Sequence, residues 1–310
     1  MATSPTDPLA FLNGQAIPFS TARLPIYDLG VMQGATITER LRTVRHQPYL
    51  VEEHLDRLQR SLARVNWEVP AHSSALTGMI NELAHVNTQW IGRDEDLSIV
   101  IFITAGQSLG DANGMISASQ PTVCLYSSPL PLEKWALAHR EGIHLVTPEV
   151  RQLPADVIDP QIKHRSRLHW SLADQQAHRT DSLAMALLLD HRGYVTETSS
   201  GNLFIVRAGE LLTPRAETTL AGIAQAHLMQ LANRLGIHLR RADLTPDEIA
   251  VAEEAFLTSS TYCQLPVRMI NGKRIGSHVP GPVTKTLMQT WSQQLGLDFA
   301  EQSIAASRAD

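Results

Sequence analysis

The stretch GYVTETSSGNLFIV, residues 193–206, has two apolar runs separated by a cluster of small polar residues. This pattern is typical of two β-strands joined by a turn. Comparable runs lie on both sides of it, SLAMALLLD before and RAGELLTP after, with glycine in the intervening turns. The second half of the chain is therefore predicted to contain a β-meander.

A carboxylate stands inside this meander, at Glu197. Residues two apart on a strand share a face, so Glu197 is expected on the same face as Val195. If that face is buried, a polar group without a partner would cost about 2–7 kcal/mol. No lysine or arginine lies within four residues of Glu197, so its partner is remote in the sequence or belongs to a ligand.

Other segments have helical or strand periodicity. The spacing of leucines predicts helices over 49–65 and 222–236, and a third helix is expected over about 167–179. Alternation of apolar and polar residues predicts strands in 96–106 and 120–131. The C-terminal SIAASRAD is expected to lack regular secondary structure. The mixture indicates an α/β (α+β) fold, and 310 residues suit two domains. The expected division is a small N-terminal domain (1–126), a linker (127–138) and a larger domain (139–310).

Charge and composition narrow the function. The formal net charge is -5, from 26 Lys+Arg against 31 Asp+Glu, and no long basic block occurs, which argues against nucleic acid as a partner. The N-terminal residues do not read as a signal peptide, and no run of about 18 apolar residues suggests a membrane span. Cys124 and Cys263 lie in apolar runs, as reduced buried thiols do. We therefore expect a cytoplasmic protein that acts on small molecules.

Lys163 stands in a positively charged segment, IKHRSRL, with Arg165 and Arg167 close to it. A crowded cation loses its proton more readily, and a lysine must be neutral to attack a carbonyl carbon. A solvated basic turn would explain the same residues. The lysine therefore becomes a candidate nucleophile only in combination with Glu197 and an anion site.

The expected anion site is at the start of the second predicted helix. Gly222 would leave the N–H groups of Ile223 and Ala224 at the positive end of the helix dipole, which favours phosphate. Hydroxyls in TSST (258–261) and the charge of Arg57 could add to it. A ligand with a carbonyl, a protonatable ring nitrogen and a phosphate would satisfy all of these groups, and pyridoxal 5'-phosphate fits that description.

Two other segments suggest different kinds of site. GQSLG, residues 106–110, matches the G-x-S-x-G pattern of a hydrolase with Ser108 as nucleophile, but a loop rather than a helix is expected after it. His164 and His169 have no acidic or cysteine residue at ligand spacing, so no metal site is predicted.

The chain resembles the class IV aminotransferases, the family of branched-chain aminotransferases, D-amino-acid transaminases and aminodeoxychorismate lyases. The resemblance spans most of the chain, in the segments YDLGVMQGATITERLRT, HLDRLQRSL, IKHRSRL, GYVTETSSGNLFIV, LAGIAQ, EEAFLTSST, LPVRMINGKRIG and GPVTKTL. It implies a small N-terminal α/β domain, a larger β-barrel-like α/β domain, pyridoxal 5'-phosphate in the cleft between them, and a homodimer.

The resemblance also implies roles for individual residues. Lys163 would carry the cofactor as a Schiff base and move a proton, and Glu197 would keep the pyridine nitrogen protonated. The remaining cofactor-binding positions carried over are Arg57, Asn202, Gly222, Ile223, Ala224 and Ser260. The implied reaction is transfer of an amino group between an amino acid or amine and a 2-oxo acid; an aminodeoxychorismate-type lyase is the alternative, and a serine hydrolase is a remote one.

The substrate side departs from the family pattern. Ala105 and Gln33 stand where relatives carry an arginine and a tyrosine, Leu168 replaces another tyrosine, and Ala224 replaces a threonine. As a hypothesis, Arg165, Arg167 or Arg42 supplies the missing charge for a substrate carboxylate. The substrate-side candidates are Gln33, Thr38, Ala105, Thr261 and Arg165.

Overall fold

The computed structural model describes residues 7–69, 73–110, 116–118 and 120–308. These residues form two compact units. The first contains the described residues up to Leu130 and also Ile162–Ser166; the second contains Pro131–Gln161 and the described residues from Arg167 onward. The chain thus returns briefly to the first unit with the segment that carries Lys163.

The first unit is built on a six-stranded antiparallel sheet with the strand order β2-β1-β8-β5-β3-β4, beside which β6 and β7 form a separate pair. Its elements are β1 (Leu9–Leu12), β2 (Gln15–Pro18), α1 (Leu29–Met32), β3 (Thr36–Val44), β4 (Gln47–Pro48), α2 (Val51–Arg64), α3 (Ser73–Asn87), β5 (Leu97–Thr104), β6 (Ser108–Gly110), β7 (Ile116–Ala118) and β8 (Thr122–Pro129).

Helix α2 packs its apolar stripe against β3. Leu55, Leu58 and Leu62 recur at helical spacing and are at most 3% exposed. They share a core with Ile37 and Leu41, which lie on one face of β3. The predicted helix over 49–65 is thereby confirmed, and its stripe fixes which residues of β3 face the helix.

The second unit is built around a nine-stranded mixed sheet. Its elements are α4 (Leu132–Glu141), β9 (Ile143–Val146), α5 (Leu168–Thr180), β10 (Met185–Leu189), β11 (Val195–Thr198), β12 (Asn202–Arg207), β13 (Glu210–Pro214), α6 (Ile223–Arg234), β14 (Leu239–Ala242), α7 (Pro246–Ala250), β15 (Glu254–Ser259), β16 (Cys263–Ile270), β17 (Lys273–Arg274), α8 (Pro282–Leu295) and α9 (Phe299–Ala306).

This sheet closes on itself. Its strand order is β11-β10-β9-β16-β15-β12-β13-β14, and the ninth strand, β17, pairs with β16. Strand β11 also pairs with β12, which completes a ring of six strands. Strands β10 to β13 are joined by consecutive antiparallel pairings, so the predicted meander is confirmed. Leucine, isoleucine and valine side chains from these strands form a common core. The mixed α/β fold with a barrel-like larger unit is as expected.

The C-terminal segment differs from its expectation. Residues Phe299–Ala306 form α9 instead of a loose end. The Asp298 side chain accepts hydrogen bonds from the N–H groups of Ala300 and Glu301, which caps the helix. Phe299 is buried against Trp291. Across the described ranges, no helix is both long enough and apolar enough to cross a membrane.

Candidate active site

Lys163 lies in an extended segment, residues 162–166, that runs along β3. The N–H of Thr38 donates to the carbonyl oxygen of Lys163 at 2.8 Å, and the N–H of Lys163 donates to Oγ of Ser61 at 3.2 Å. The backbone of the lysine is therefore held by a strand through its carbonyl and by helix α2 through its amide.

The same helix places Arg57 and His54 against Glu39 of β3. Glu39 accepts from Nε of Arg57 at 2.7 Å and from Nδ1 of His54 at 2.8 Å, and all three side chains are at most 5% exposed. Burial raises the pKa of the Glu39 carboxyl, but Arg57 and His54 outweigh it and hold that pKa below its usual range. Glu39 is therefore ionised and keeps Arg57 oriented.

His54 is held mainly as the neutral imidazole. Burial lowers its pKa, Glu39 opposes that effect, and the positive charges of Arg57 and Lys163 add to it. The Lys163 amine therefore lies within electrostatic range of His54, in the same unit. A neutral His54 donates its Nδ1–H to Glu39, which agrees with the 2.8 Å contact.

In the second unit, Glu197 is fixed by amide donors. Its Oε2 accepts from Nδ2 of Asn202 at 3.2 Å, and its Oε1 accepts from the N–H of Leu220 at 3.2 Å and from Nε2 of Gln152 at 3.4 Å. These bonds set the orientation of the carboxylate.

The burial of Glu197 differs from the simple alternation expected for β11. Val195 is 2% exposed as expected, but Thr196 and Thr198 on the opposite face are also buried. Glu197 is half-buried and is the most accessible residue of the strand. The carboxylate is therefore shielded without being sealed inside the core.

Helix α6 begins next to this carboxylate. Gly222 is its N-cap and has no side chain that could cap the first turn. A Cβ at Gly222 would lie 2.1 Å from Oδ1 of Asn202, whose Nδ2 also donates to the carbonyl of Leu220. Only glycine leaves this turn open, so the N–H groups of Ile223 and Ala224 form a cradle suited to an anion.

The TSST segment lies at the end of β15. Oγ1 of Thr258 is buried, with no hydrogen-bond partner in the part of the chain that the structure describes. The hydroxyls of Ser259 and Thr261 lie 3.3 Å apart, and Ser260 between them is half-buried. Burial raises the pKa of the neighbouring Tyr262, so its phenol stays protonated. The segment offers hydroxyl groups and no charge.

The substrate-side candidates occupy different environments. The Oγ1 of Thr38 donates to the carbonyl of Ile101 at 2.9 Å, and the threonine is 3% exposed. Gln33 is exposed at the end of α1, Ala105 and Arg165 are half-buried in the first unit, and Thr261 is buried in the second. Leu168, which stands where relatives carry a tyrosine, is 74% exposed at the start of α5.

Two of the arginines proposed to meet a carboxylate have other roles. Arg42 is 1% exposed and pairs with the equally buried Asp96 at 3.4 Å. Arg167 donates to the carbonyl of Ser199 and lies over the ring of Trp170, 5.4 Å from its centre. The structure therefore argues against Arg42 as a substrate anchor and gives Arg167 a packing role.

One arginine was missed by sequence reasoning. Arg40 of β3 is half-buried, and its Nε donates to Oγ of Ser98 at 2.6 Å. It lies two residues after Thr38, so both are on the face of β3 that does not pack against α2. The sequence alone held no clear signal for it, because β3 is buried on nearly all of both faces.

Ser108 has no nucleophile-elbow geometry. It is the first residue of β6, which pairs antiparallel with β7, and its N–H donates to the carbonyl of Tyr27. The loop expected after Ser108 is replaced by strand at Ile116–Ala118, while residues 111–115 and 119 lie outside the described residues. In the described ranges, no cluster of three His, Cys, Asp or Glu side chains could hold a metal ion.

Comparison with known proteins identifies the family. Residues 36–270 match the family model "Amino-transferase class IV". The chain is 29% identical over 280 residues to a putative branched-chain-amino-acid aminotransferase of Methanocaldococcus jannaschii, covering 90% of this chain and 93% of that protein. It is 27% identical over 277 residues to the D-alanine aminotransferase of Bacillus licheniformis, covering 89% and 93%.

A solved structure has the same fold. The branched-chain amino acid aminotransferase from Thermobaculum terrenum, crystallised in its PLP-form, superposes with a TM-score of 0.81 at 21% identity and covers 96% of this chain and 97% of that chain. The protein belongs to the class IV aminotransferases, and it is an aminotransferase that depends on pyridoxal 5'-phosphate. The open helix start at Gly222, the ordered carboxylate of Glu197 and the anchored Lys163 fit that cofactor chemically.

Proposed function

We propose that the protein transfers an amino group between an amino acid or amine and a 2-oxo acid, with Lys163 as the residue that binds the cofactor covalently. The observation that carries this proposal is the anchoring of Lys163. Its carbonyl and its N–H are each bonded, to Thr38 and Ser61, so the chain presents one lysine from a fixed backbone position.

Two sets of groups would hold the cofactor, in addition to the covalent bond from Lys163. The cradle of Ile223 and Ala224, with Ser260 and the oriented cation Arg57, would bind its phosphate. Glu197, positioned by Asn202, would place a negative charge at the ring nitrogen. When bound, the cofactor supplies an electron sink that stabilises negative charge at the substrate α-carbon.

The proton transfers would be carried out by Lys163. Its Nζ, once neutral, would take the proton from the substrate α-carbon. The same Nζ would then give that proton to the reacting carbon of the cofactor. Glu39 has a different task, because it fixes Arg57 and stays ionised.

We also propose a homodimer. The first unit exposes an apolar group at Ile26, Tyr27, Val31 and Met32, with exposed fractions between 49% and 83%. Contiguous exposed apolar side chains are typical of protein interfaces. Light scattering on the wild type and on Ile26→Asp tests this, with a halved mass expected for the variant.

A cytoplasmic location is proposed from Cys124 and Cys263, which are free thiols.

The assignment of Lys163 is tested by borohydride reduction of the purified protein followed by peptide mapping. The reduced cofactor is expected on the peptide that contains Lys163. Lys163→Arg should abolish the label, whereas Lys285→Arg, at an exposed position on α8, should keep it. A label on any other lysine would contradict the proposal.

The reaction itself is tested by its need for an acceptor. An aminotransferase needs a 2-oxo acid to complete each cycle, so no product should accumulate catalytically without one. Pyruvate released from aminodeoxychorismate in the absence of an acceptor would indicate the lyase instead.

A further inference from the structure

Arg40 lies on the face of β3 that does not pack against α2, and it is the least buried residue of that strand. Ile37, Glu39 and Leu41 contact α2 or its core, and alternation along β3 places Thr38 and Arg40 on the opposite face. The Arg40 side chain is half-buried there and is steadied by the 2.6 Å bond from its Nε to Ser98.

Arg165 reaches the same face from the segment that carries Lys163. Ile37 and His164 form an antiparallel bridge, and the N–H of Arg165 donates to Oγ1 of Thr36 at 3.0 Å. Since His164 lies opposite Ile37, its neighbours Lys163 and Arg165 alternate to the other face. That face is the one that carries Arg40.

The two guanidinium groups lie close enough to repel each other. Burial lowers the pKa of Arg40, and the positive charge of Arg165 lowers it further. In the described part of the chain, neither Arg40 nor Arg165 forms an ion pair with a carboxylate. An anion beside the two guanidinium groups would relieve this repulsion.

We propose that Arg40 and Arg165 together bind a carboxylate group of the substrate. The inference rests on the proposed function, because it assumes that this face of β3, next to Lys163, receives the amino and oxo acids. Guanidinium groups match a carboxylate with two parallel N–H···O bonds, which fixes the orientation of the anion as well as its position. The carboxylate is either the one on the α-carbon or a second one on the side chain.

The test uses two acceptors of equal chain length, 2-oxopentanoate and 2-oxoglutarate, with Arg40→Gln and Arg165→Gln. We expect KM to rise about 10- to 100-fold in both variants, with a smaller change in kcat. A rise for both acceptors assigns the α-carboxylate, and a rise for 2-oxoglutarate alone assigns the side-chain carboxylate. Arg40→Lys, which keeps the charge but loses the planar fork, should recover part of the loss.

The matched control is Arg60→Gln, which removes the same charge from an exposed position on α2 of the same unit. It should leave both KM values unchanged. Circular dichroism and cofactor absorbance verify that each variant is folded and loaded. Arg165→Gln is less prone than Arg40→Gln to disturb folding, because the Arg165 side chain makes no hydrogen bond in the described residues.

A second measurement does not depend on turnover. Calorimetric titration of the holoenzyme with butanoate and with succinate should give a Kd about tenfold higher in both variants for at least one of these anions. Unchanged KM and Kd values in folded, loaded variants would overturn the inference. A wild type that binds these anions but transfers no amino group would instead contradict the proposed function.

Discussion

Glu39 and Arg57 form a two-pronged ion pair: Nε of Arg57 donates to Oε1 at 2.7 Å and Nη2 donates to Oε2 at 2.8 Å. The side chains are 0% and 5% exposed. Burying two charges is costly, and the cost is offset only while each charge is paired with the other. The pair therefore joins β3 to α2 and fixes the direction of the arginine that we propose for phosphate binding.

Replacing Glu39 with Gln should destabilise the protein, because Arg57 would keep its buried charge without a counter-ion. We expect the free energy of unfolding to fall by about 3–5 kcal/mol, measured by urea denaturation. Glu53→Gln, on an exposed position of α2, should change it by less than about 0.5 kcal/mol. Equal effects in the two variants would mean that the buried pair adds no stability of its own.

His54 should make stability depend on pH below neutrality. Its pKa is lower in the folded protein than the ordinary 6.5, mainly because of burial. The unfolded chain therefore binds a proton first as the pH falls through 6.5, and folding loses up to about 1.4 kcal/mol per pH unit until His54 itself titrates. His54→Gln should flatten the profile of unfolding free energy as the pH falls below 6.5, the ordinary pKa of histidine.

The control for that profile is His85→Gln, at an exposed position of α3. It should keep the wild-type slope. Below pH 4.5 the free energy of unfolding is expected to fall again in the wild type and in His85→Gln. The folded-state pKa of Glu39 is depressed, so the stabilising charge of Glu39 is lost as the pH falls toward that pKa. An unchanged slope in His54→Gln would show that other groups set the pH dependence.

Local patterns in the sequence predicted part of this fold. The leucine stripe of α2 and the meander through Glu197 depend on neighbours in sequence, and both were found. Closure of the barrel was expected only from family resemblance. It depends on β9 pairing in parallel with β16, more than a hundred residues away, and no local period records that contact.

The candidate site was predictable to the same extent. Lys163, Glu197 and Gly222 stand in recognisable segments, but Arg40 was missed because β3 is buried on nearly all of both faces. Hydrophobic alternation cannot separate the two faces of such a strand. Arg42 was a candidate anchor because it stands in a segment that matches the family; its pairing with Asp96, 54 residues away in sequence, leaves no local pattern.

Replacing Glu197 with Gln should impair catalysis more than folding. An amide oxygen in the place of Oε2 can still accept from Nδ2 of Asn202 and from the N–H of Leu220, but the amide carries no negative charge to keep the cofactor ring nitrogen protonated. We expect kcat to fall by at least about 100-fold with the cofactor still bound, a loss on the scale of a missing electrostatic partner. Glu149→Gln, exposed in the same unit, should keep wild-type kcat. Full activity in Glu197→Gln would exclude the assigned role.

Gly222→Ala should weaken cofactor binding. The backbone φ of Gly222 is -69°, which alanine adopts freely, so the obstacle is steric: the new Cβ would lie 2.1 Å from Oδ1 of Asn202 and 3.1 Å from Cβ of Gln225. Asn202 would have to move, and it also orients Glu197. We expect the Kd for pyridoxal 5'-phosphate, from titration of the apoenzyme, to rise at least about tenfold.

Gly78→Ala is the matched control for that substitution, because a Cβ at Gly78 would meet nothing within 4 Å. Gly78 lies inside α3, where alanine favours the helix by up to about 1 kcal/mol, so this variant should be equally or more stable and should bind the cofactor normally. A wild-type Kd in Gly222→Ala would mean that the first turn of α6 does not contact the phosphate.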